Sequence, residues 1–201
     1  MYTFKLHVQK KPYKPTEGEE FLMDFFQSED IKYQCQVEII DLKDDNCLYR
    51  IADFYLPEYK VFVEFFGNYN TDYDKRKAYD EKKNVYIKNN VPCLYFYPEN
   101  LGFIHYSFRK RLRVELKKHS LKKELFHYNL RLLIADKAEV IVWFILCAAL
   151  LIMFQFDRTA KLYWLSCGVV GSFLIFLGYR IIVGYNKIFK KEYSYITFMR
   201  D

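Results

Sequence analysis

From Thr16 onward the chain switches between helical and extended patterns of apolar residues. Phe21, Leu22, Phe25 and Phe26 recur at three- and four-residue spacing and mark one face of a helix. Thr16 and Glu19 stand before that face with the spacing of a capping box. "IKYQCQVEI" then alternates loosely and predicts a strand, "DLKDDN" a turn, and "CLYRIADFYL" a second strand. After the turn "PEY", "KVFVEFFG" predicts a third strand closing on Gly67. "YDKRKAYDEKKNVYIKNN" reads as a charge-rich helix, and "VPCLYFYP" as a short aromatic strand. The order helix, three-strand meander, helix, strand defines an α/β domain over residues 1–103, and about 100 residues can bury a single core.

The pattern changes twice beyond that point. From Ile104 to Lys137, Leu112, Leu116, Leu121, Leu125, Leu132 and Leu133 recur at roughly helical spacing, which predicts a connector of one or two amphipathic helices over residues 104–137. From Ala138 to Tyr185 nearly everything is apolar. "AEVIVWFILCAALLIMFQF" (Ala138–Phe156) is 19 residues long, and at about 1.5 Å rise per residue it covers the roughly 30 Å of a bilayer core. "LYWLSCGVVGSFLIFLGYRIIVGY" (Leu162–Tyr185) follows after "DRTAK", interrupted only by Arg180, which can snorkel to the headgroups. Neither segment shows a polar face, which argues against a buried soluble hairpin and for two transmembrane helices over 138–185. Gly168 and Gly171 are candidates for close packing between them.

Charge orients this hairpin. The chain carries a net charge of +6, and residues 104–137 alone hold ten Lys/Arg against three Asp/Glu. Lys137 flanks the first span, and Arg180, Lys187, Lys190 and Lys191 flank the second, whereas the loop holds only Arg158 and Lys161 beside Asp157. The positive-inside bias places the N-terminal domain and the basic tail (186–201) in the cytoplasm, at the inner membrane. The basic run, with Arg109, Lys110 and Arg111 at its core, suits anionic headgroups by default and nucleic-acid phosphates as well. Five scattered cysteines form no zinc-spaced cluster, and the N-terminus lacks the form of a signal peptide. The four histidines are dispersed, and no Gly-rich phosphate loop or catalytic triad is visible.

Two acids interrupt the predicted strands. Asp53 ends one and Glu64 nears the end of the next, so a hairpin-like turn at "LPEYK" puts their carboxylates side by side. A carboxylate pair with waters or phosphate oxygens suits Mg²⁺ or Mn²⁺, an ion that polarises a phosphodiester and activates water. Strand carboxylates that merely face solvent have the same sequence appearance.

"YRIADFYLPEYKVFVEFFG" resembles the core of small PD-(D/E)XK, or restriction-endonuclease-like, domains, most closely those of the very-short-patch-repair type and those appended to DNA helicases. The likeness runs from about Thr16 to Leu101, from "TEGEEFL" to "KKNVYIKNNVPCLYFYPENL". It implies a nuclease fold, a metal held by Asp53 and Glu64, and an acid from the first helix: Glu19, or alternatively Glu20. Glu19 has a second reading as the capping partner of Thr16. The family pattern expects a lysine two residues after the second acid, where this chain has Phe66. In relatives with this variation the basic group comes from the following helix, which implicates Lys82, then Lys83, with Arg76 and Tyr79 on the same helix. Ala52 also stands where relatives often have proline.

Joined to the predicted spans and basic connector, which imply a membrane anchor and lipid as partner, the resemblance implies an Mg²⁺- or Mn²⁺-dependent endonuclease acting on DNA more than RNA, with nucleic acid as partner and a homodimer as a common assembly. Arg76, Lys83, Arg109, Lys110 and Arg111 are its candidate nucleic-acid contacts. If the lysine is lost instead of relocated, the domain is an inactive module that binds nucleic acid or a protein partner. A transporter built on two helices without an intramembrane polar residue ranks last.

Overall fold

Each strand after the first is held by a pattern that its own sequence carries. The computed structural model describes residues 6–8, 13–154 and 163–190, with side chains over 13–149 and 168–185. The chain forms two compact units, Met1–Leu125 and Phe126–Asp201. In the first, β1 (Leu6–Val8), β2 (Gln34–Ile40), β3 (Tyr49–Leu56), β4 (Val61–Phe65) and β5 (Cys93–Phe96) form one sheet in sequence order. All neighbours are antiparallel except β4 and β5, which run parallel. That parallel pair needs a crossover, supplied by the helix α2 (Tyr73–Lys88).

α1 (Glu17–Ser28) begins where the capping box predicts. The Glu19 N–H donates to Thr16 Oγ1 at 3.4 Å, and the Thr16 N–H donates to Glu19 Oε2 at 2.7 Å. Leu22, Phe25 and Phe26 form its buried stripe, and Phe26 meets Phe54 of β3 at a ring separation of 5.5 Å. Thr16→Ala removes the cap and is expected to lower stability by about 1 kcal/mol, read as a fall of a few degrees in thermal midpoint. On the sheet's other side, Val37, Ile39, Ala52, Phe62, Val91 and Cys93 pack around Tyr86 of α2. Helices thus cover both sides of the sheet.

The first unit extends past residue 103, the boundary read from sequence. α3 (Pro98–Leu101) is one turn, and α4 (Ile104–Lys118) buries Ile104, Phe108, Leu112 and Leu116 at four-residue intervals. Phe108 packs on Phe25 at 5.2 Å and on Phe96 at 6.4 Å. α4 is therefore an amphipathic helix, as its leucine spacing predicts, with its apolar stripe in the core and a basic outer surface. The charge density of "FRKRLRVELKK" describes its solvent side.

In the second unit, α5 (Lys122–Phe154) runs on from the first and has a non-helical residue at Lys137, with φ −129° and ψ 18°. α6 (Tyr163–Lys190) contains Gly168–Tyr185, an 18-residue window of mean hydropathy 1.7 and only 11% buried. Among the described residues this is the one helix long and apolar enough to cross a membrane. Val169, Phe173, Ile175, Phe176 and Ile182 stand exposed on it. Of the first predicted span, Gln155 and Phe156 lie outside the described residues, as do the loop 157–161, Leu162 and the tail from Lys191.

The close approaches do not fall at Gly168 or Gly171, beside which a Cβ would meet only open space among the described residues. They fall about two and three and a half turns beyond Gly171. A Cβ at Gly178 would stand 3.8 Å from the Phe144 ring, and one at Gly184 would stand 2.9 Å from Lys137 Cε. A larger residue at 184 would have to displace that lysine stem.

Candidate active site

The strand ladder brings the two acids together. β3 and β4 pair Leu56 with Val61, Tyr55 with Phe62 and Phe54 with Val63. The next step along that register is Asp53 opposite Glu64. There the regular ladder ends, and the Phe65 N–H donates instead to Asp53 Oδ2 at 2.7 Å. On the other side of β3, Cys35 pairs with Phe54 and Val37 with Ala52, and between them Gln36 adopts a φ of 51°. The neighbours of Asp53 pack on opposite sides of the sheet, Ala52 with the Tyr86 cluster and Phe54 against Phe26. A break in alternation of this kind re-aims a side chain. Here the re-aimed residue is Asp53.

α2 supplies the basic group. Tyr79, Lys82 and Tyr86 share one face at helical spacing. Lys82 Nζ donates to Glu64 Oε2 at 2.6 Å and to the Ile51 carbonyl at 2.6 Å, and the Tyr86 hydroxyl donates to Glu64 Oε1 at 3.0 Å. Both oxygens of the fully buried Glu64 are thereby engaged. Phe66, where the resemblance leads one to expect lysine, is also fully buried, stacked on Tyr79 at 4.4 Å and flanked by Tyr95 at 5.5 Å and Tyr97 at 5.7 Å. An aromatic box fills the position, and the ammonium beside Glu64 reaches in from the helix.

Glu19, Asp53, Glu64 and Lys82 line one cleft of about 730 Å³, together with Thr16, Glu17, Phe21, Phe65, Asn68 and Tyr79 among others. Glu19 serves the capping box, the second of its two sequence readings, while also facing this cleft. Glu20, its alternative, is exposed and does not line it. Tyr86, Glu17 and Tyr13 were not singled out by sequence. Tyr86 has a readable signal, one turn beyond Lys82, whereas Tyr13 comes near only through the fold.

The basic contacts expected for nucleic acid sit elsewhere. Arg76 lies over Tyr69 at 5.1 Å, Lys83 over Tyr95 at 5.3 Å and Lys110 over Tyr106 at 5.8 Å. Arg109 faces Glu29 at 3.9 Å. Arg111 is a correction to the picture of a free basic contact. Its guanidinium donates to the Tyr95 carbonyl and lies 5.0 Å over the Phe96 ring, and burial lowers its pKa. It is half-buried against β5.

Electrostatics concentrate at the acid pair. Burial pushes the Asp53 carboxyl well above the ordinary range, and the charge of Glu64 pushes it further, against smaller pulls from Lys82 and the Phe65 N–H. Burial also raises Glu64, against the pull of Lys82 and Tyr86. Lys82 is lowered by burial but held above the usual lysine value by Glu64 and Asp53, so it stays charged. A carboxyl raised in the folded state stabilises that state fully only below its unfolded pKa of about 3.9. Stability is then lost as pH rises through the raised value. In chelator, the unfolding midpoint is therefore expected to fall as pH climbs above about 4, with a flatter profile for Asp53→Asn.

The donor set fits a hard divalent cation. Two adjacent carboxylates supply hard oxygen ligands, and their mutual repulsion is what a cation would relieve. Beside them burial, and then the charge of Glu19, raise the pKa of the Tyr13 hydroxyl. Among the described residues no three His, Cys, Asp or Glu side chains converge as a metal cluster, so water or substrate oxygens would have to complete the shell. No family model, curated protein or solved structure matches this chain.

Proposed function

We propose that this protein is a membrane-anchored, metal-dependent nuclease with a restriction-endonuclease-like core, hydrolysing phosphodiester bonds, DNA before RNA. The observation that carries this reading is the register that sets Asp53 against Glu64 in an open cleft, with Lys82 Nζ 2.6 Å from the second carboxylate. Asp53 and Glu64 are the residues that would hold Mg²⁺ or Mn²⁺. When bound, such an ion polarises the phosphodiester and lowers the pKa of an attacking water.

The chain's own groups do the remainder. Asp53, destabilised as an anion by burial and by Glu64, gives up its proton to admit a cation. Lys82 stays protonated and fixes Glu64 through a charge-assisted hydrogen bond, and its ammonium stands ready to stabilise negative charge developing beside it. Tyr86 stays protonated, because burial and then Glu64 raise its pKa well above the ordinary value, and it locks the other Glu64 oxygen. Glu19 stands at the cleft's rim and orients water there.

α6, apolar and exposed over Gly168–Tyr185, supports a membrane anchor. We extend this to a two-pass hairpin with the nuclease unit and the C-terminus in the cytoplasm, on the basis of charge flanking alone. Tethering confines cleavage to nucleic acid near the membrane, and a homodimer accords with the resemblance. The test is cleavage of plasmid, single-stranded DNA and RNA by the full chain in detergent micelles, with Mg²⁺ or Mn²⁺ and with chelator. Metal-dependent scission supports the reading, and its absence from folded protein refutes it.

A second reading has its own observation. Lys82 and Tyr86 occupy both oxygens of Glu64, and the Phe65 N–H occupies one oxygen of Asp53. A carboxylate pair so engaged also suits a non-catalytic module, in which Lys82 stands in for the cation. Titration separates the two, because only the nuclease reading requires stoichiometric divalent-metal binding.

A further inference from the structure

The cleft has an apolar flank that the proposed chemistry leaves unused. Phe21 of α1 lines it with 43% of its surface open to solvent, and Leu101 lines it from α3. Phe65, next to Glu64, adds a ring whose place is reserved by two glycines. A Cβ at Gly18 would stand 2.0 Å from that ring, and one at Gly67 would stand 3.1 Å away.

The charge on the cleft limits what can cover it. Among the described residues, Glu17, Glu19, Asp53 and Glu64 line it against a single lysine and no arginine. A duplex laid across the site would press successive phosphates towards Glu17 and Glu19. It could not bend away, because duplex DNA is stiff over about 150 base pairs, and duplex binders usually neutralise about 6–10 phosphates with Lys and Arg. A single strand escapes both constraints. It can leave one phosphate at the carboxylates and swing its neighbours clear, while an open aromatic ring accepts the face of any base.

We infer that the cleft takes one unpaired nucleotide, from a single strand or a frayed end, with its base against Phe21 and Leu101 and its phosphate at Asp53, Glu64 and Lys82. The inference rests on the nuclease reading above and names its substrate. Recognition is by stacking and one phosphate, so sequence preference is slight and salt dependence shallow.

The experiment uses the full chain in detergent micelles with Mn²⁺ and labelled 20-nucleotide probes: a single strand, the blunt duplex, and the duplex with an unpaired tail. Binding and cleavage are both read, for wild type, Phe21→Ala, Phe21→Trp and Asp53→Asn. The expected result is preference for the single strand and the tail. Phe21→Ala should weaken single-strand binding about ten- to hundred-fold, Phe21→Trp should retain it, and the salt slope should correspond to about one or two phosphates. Duplex cleavage that depends on Asp53 but ignores Phe21 overturns this inference and leaves the nuclease reading intact. Failure of wild type to bind or cleave any probe overturns both.

Discussion

Asp53→Asn is expected to abolish cleavage, by roughly a thousand-fold or more, while leaving the protein in chelator as stable as wild type or more so. The two effects have one origin. Asp53 sits where burial and Glu64 both oppose its charge, so in the absence of a cation its ionised form works against the fold. Asparagine has the same shape, still accepts the Phe65 N–H through its carbonyl oxygen, and carries no charge to desolvate. It therefore resembles the protonated aspartate and spares the protein the loss of stability that wild type suffers as pH rises. What it cannot do is bind a hard cation as an anionic oxygen does.

The cation makes this measurable without any substrate. A ligand that binds only the folded state stabilises it by RT ln(1 + [L]/Kd), about 2.7 kcal/mol at a hundred times Kd. Saturating Mg²⁺ or Mn²⁺ is expected to raise the wild-type midpoint by several degrees and to leave Asp53→Asn unmoved. Because the metal must displace a proton, the increment should grow with pH, opposite to the trend in chelator. A midpoint insensitive to divalent metal across that range, in a protein that still cleaves DNA, would falsify the assignment of the metal to this pair.

How much of this was readable beforehand depends on the range of the interaction. α1 was legible because its cap and stripe are local, and Thr16, Glu19, Leu22, Phe25 and Phe26 lie within eleven residues of one another. The Asp53–Glu64 pairing was legible for a similar reason, since a short antiparallel connection leaves few registers. The choice of Lys82 over Lys83 came from the resemblance, and the structure puts Lys82 on the helix face of Tyr79 and Tyr86 while Lys83 lies over Tyr95. The three-residue strand β1 carried no pattern of its own, and its pairing with β2 is decided by the sheet. α4 was legible as an amphipathic helix from its leucine spacing, but that this stripe packs into the first unit was not. The stripe also counts Ile104 and Phe108 before Leu112 and Leu116. Tyr13 and the turned backbone at Gln36 depend on contacts far along the chain and have no sequence signature.

Lys82→Met and Phe66→Lys test whether the helix or the strand can supply the basic group, and both are expected to fail in informative ways. Lys82→Met keeps the length of the side chain but strips the buried Glu64 of its cation. Breaking a buried pair in this way costs about 3–5 kcal/mol, partly recovered because Glu64 can take up a proton. Adding Glu64→Gln removes the stranded charge, so the double variant should be more stable than Lys82→Met alone. This non-additivity is the sign of a direct pair. Phe66→Lys introduces the lysine that the resemblance leads one to expect at that position, yet it should not restore cleavage to Lys82→Met. Phe66 is fully buried against Tyr79, Tyr95 and Tyr97. An ammonium there loses the ring packing, at about 3–5 kcal/mol, and is surrounded by the rings of Tyr79, Tyr95 and Tyr97 instead of a carboxylate. The expected outcome is a destabilised, inactive protein, measured by denaturant unfolding and by the cleavage assay on the same preparations. Recovery of activity in Phe66→Lys/Lys82→Met would instead mean that the strand position still reaches the site, and that Lys82 serves the fold and not the reaction.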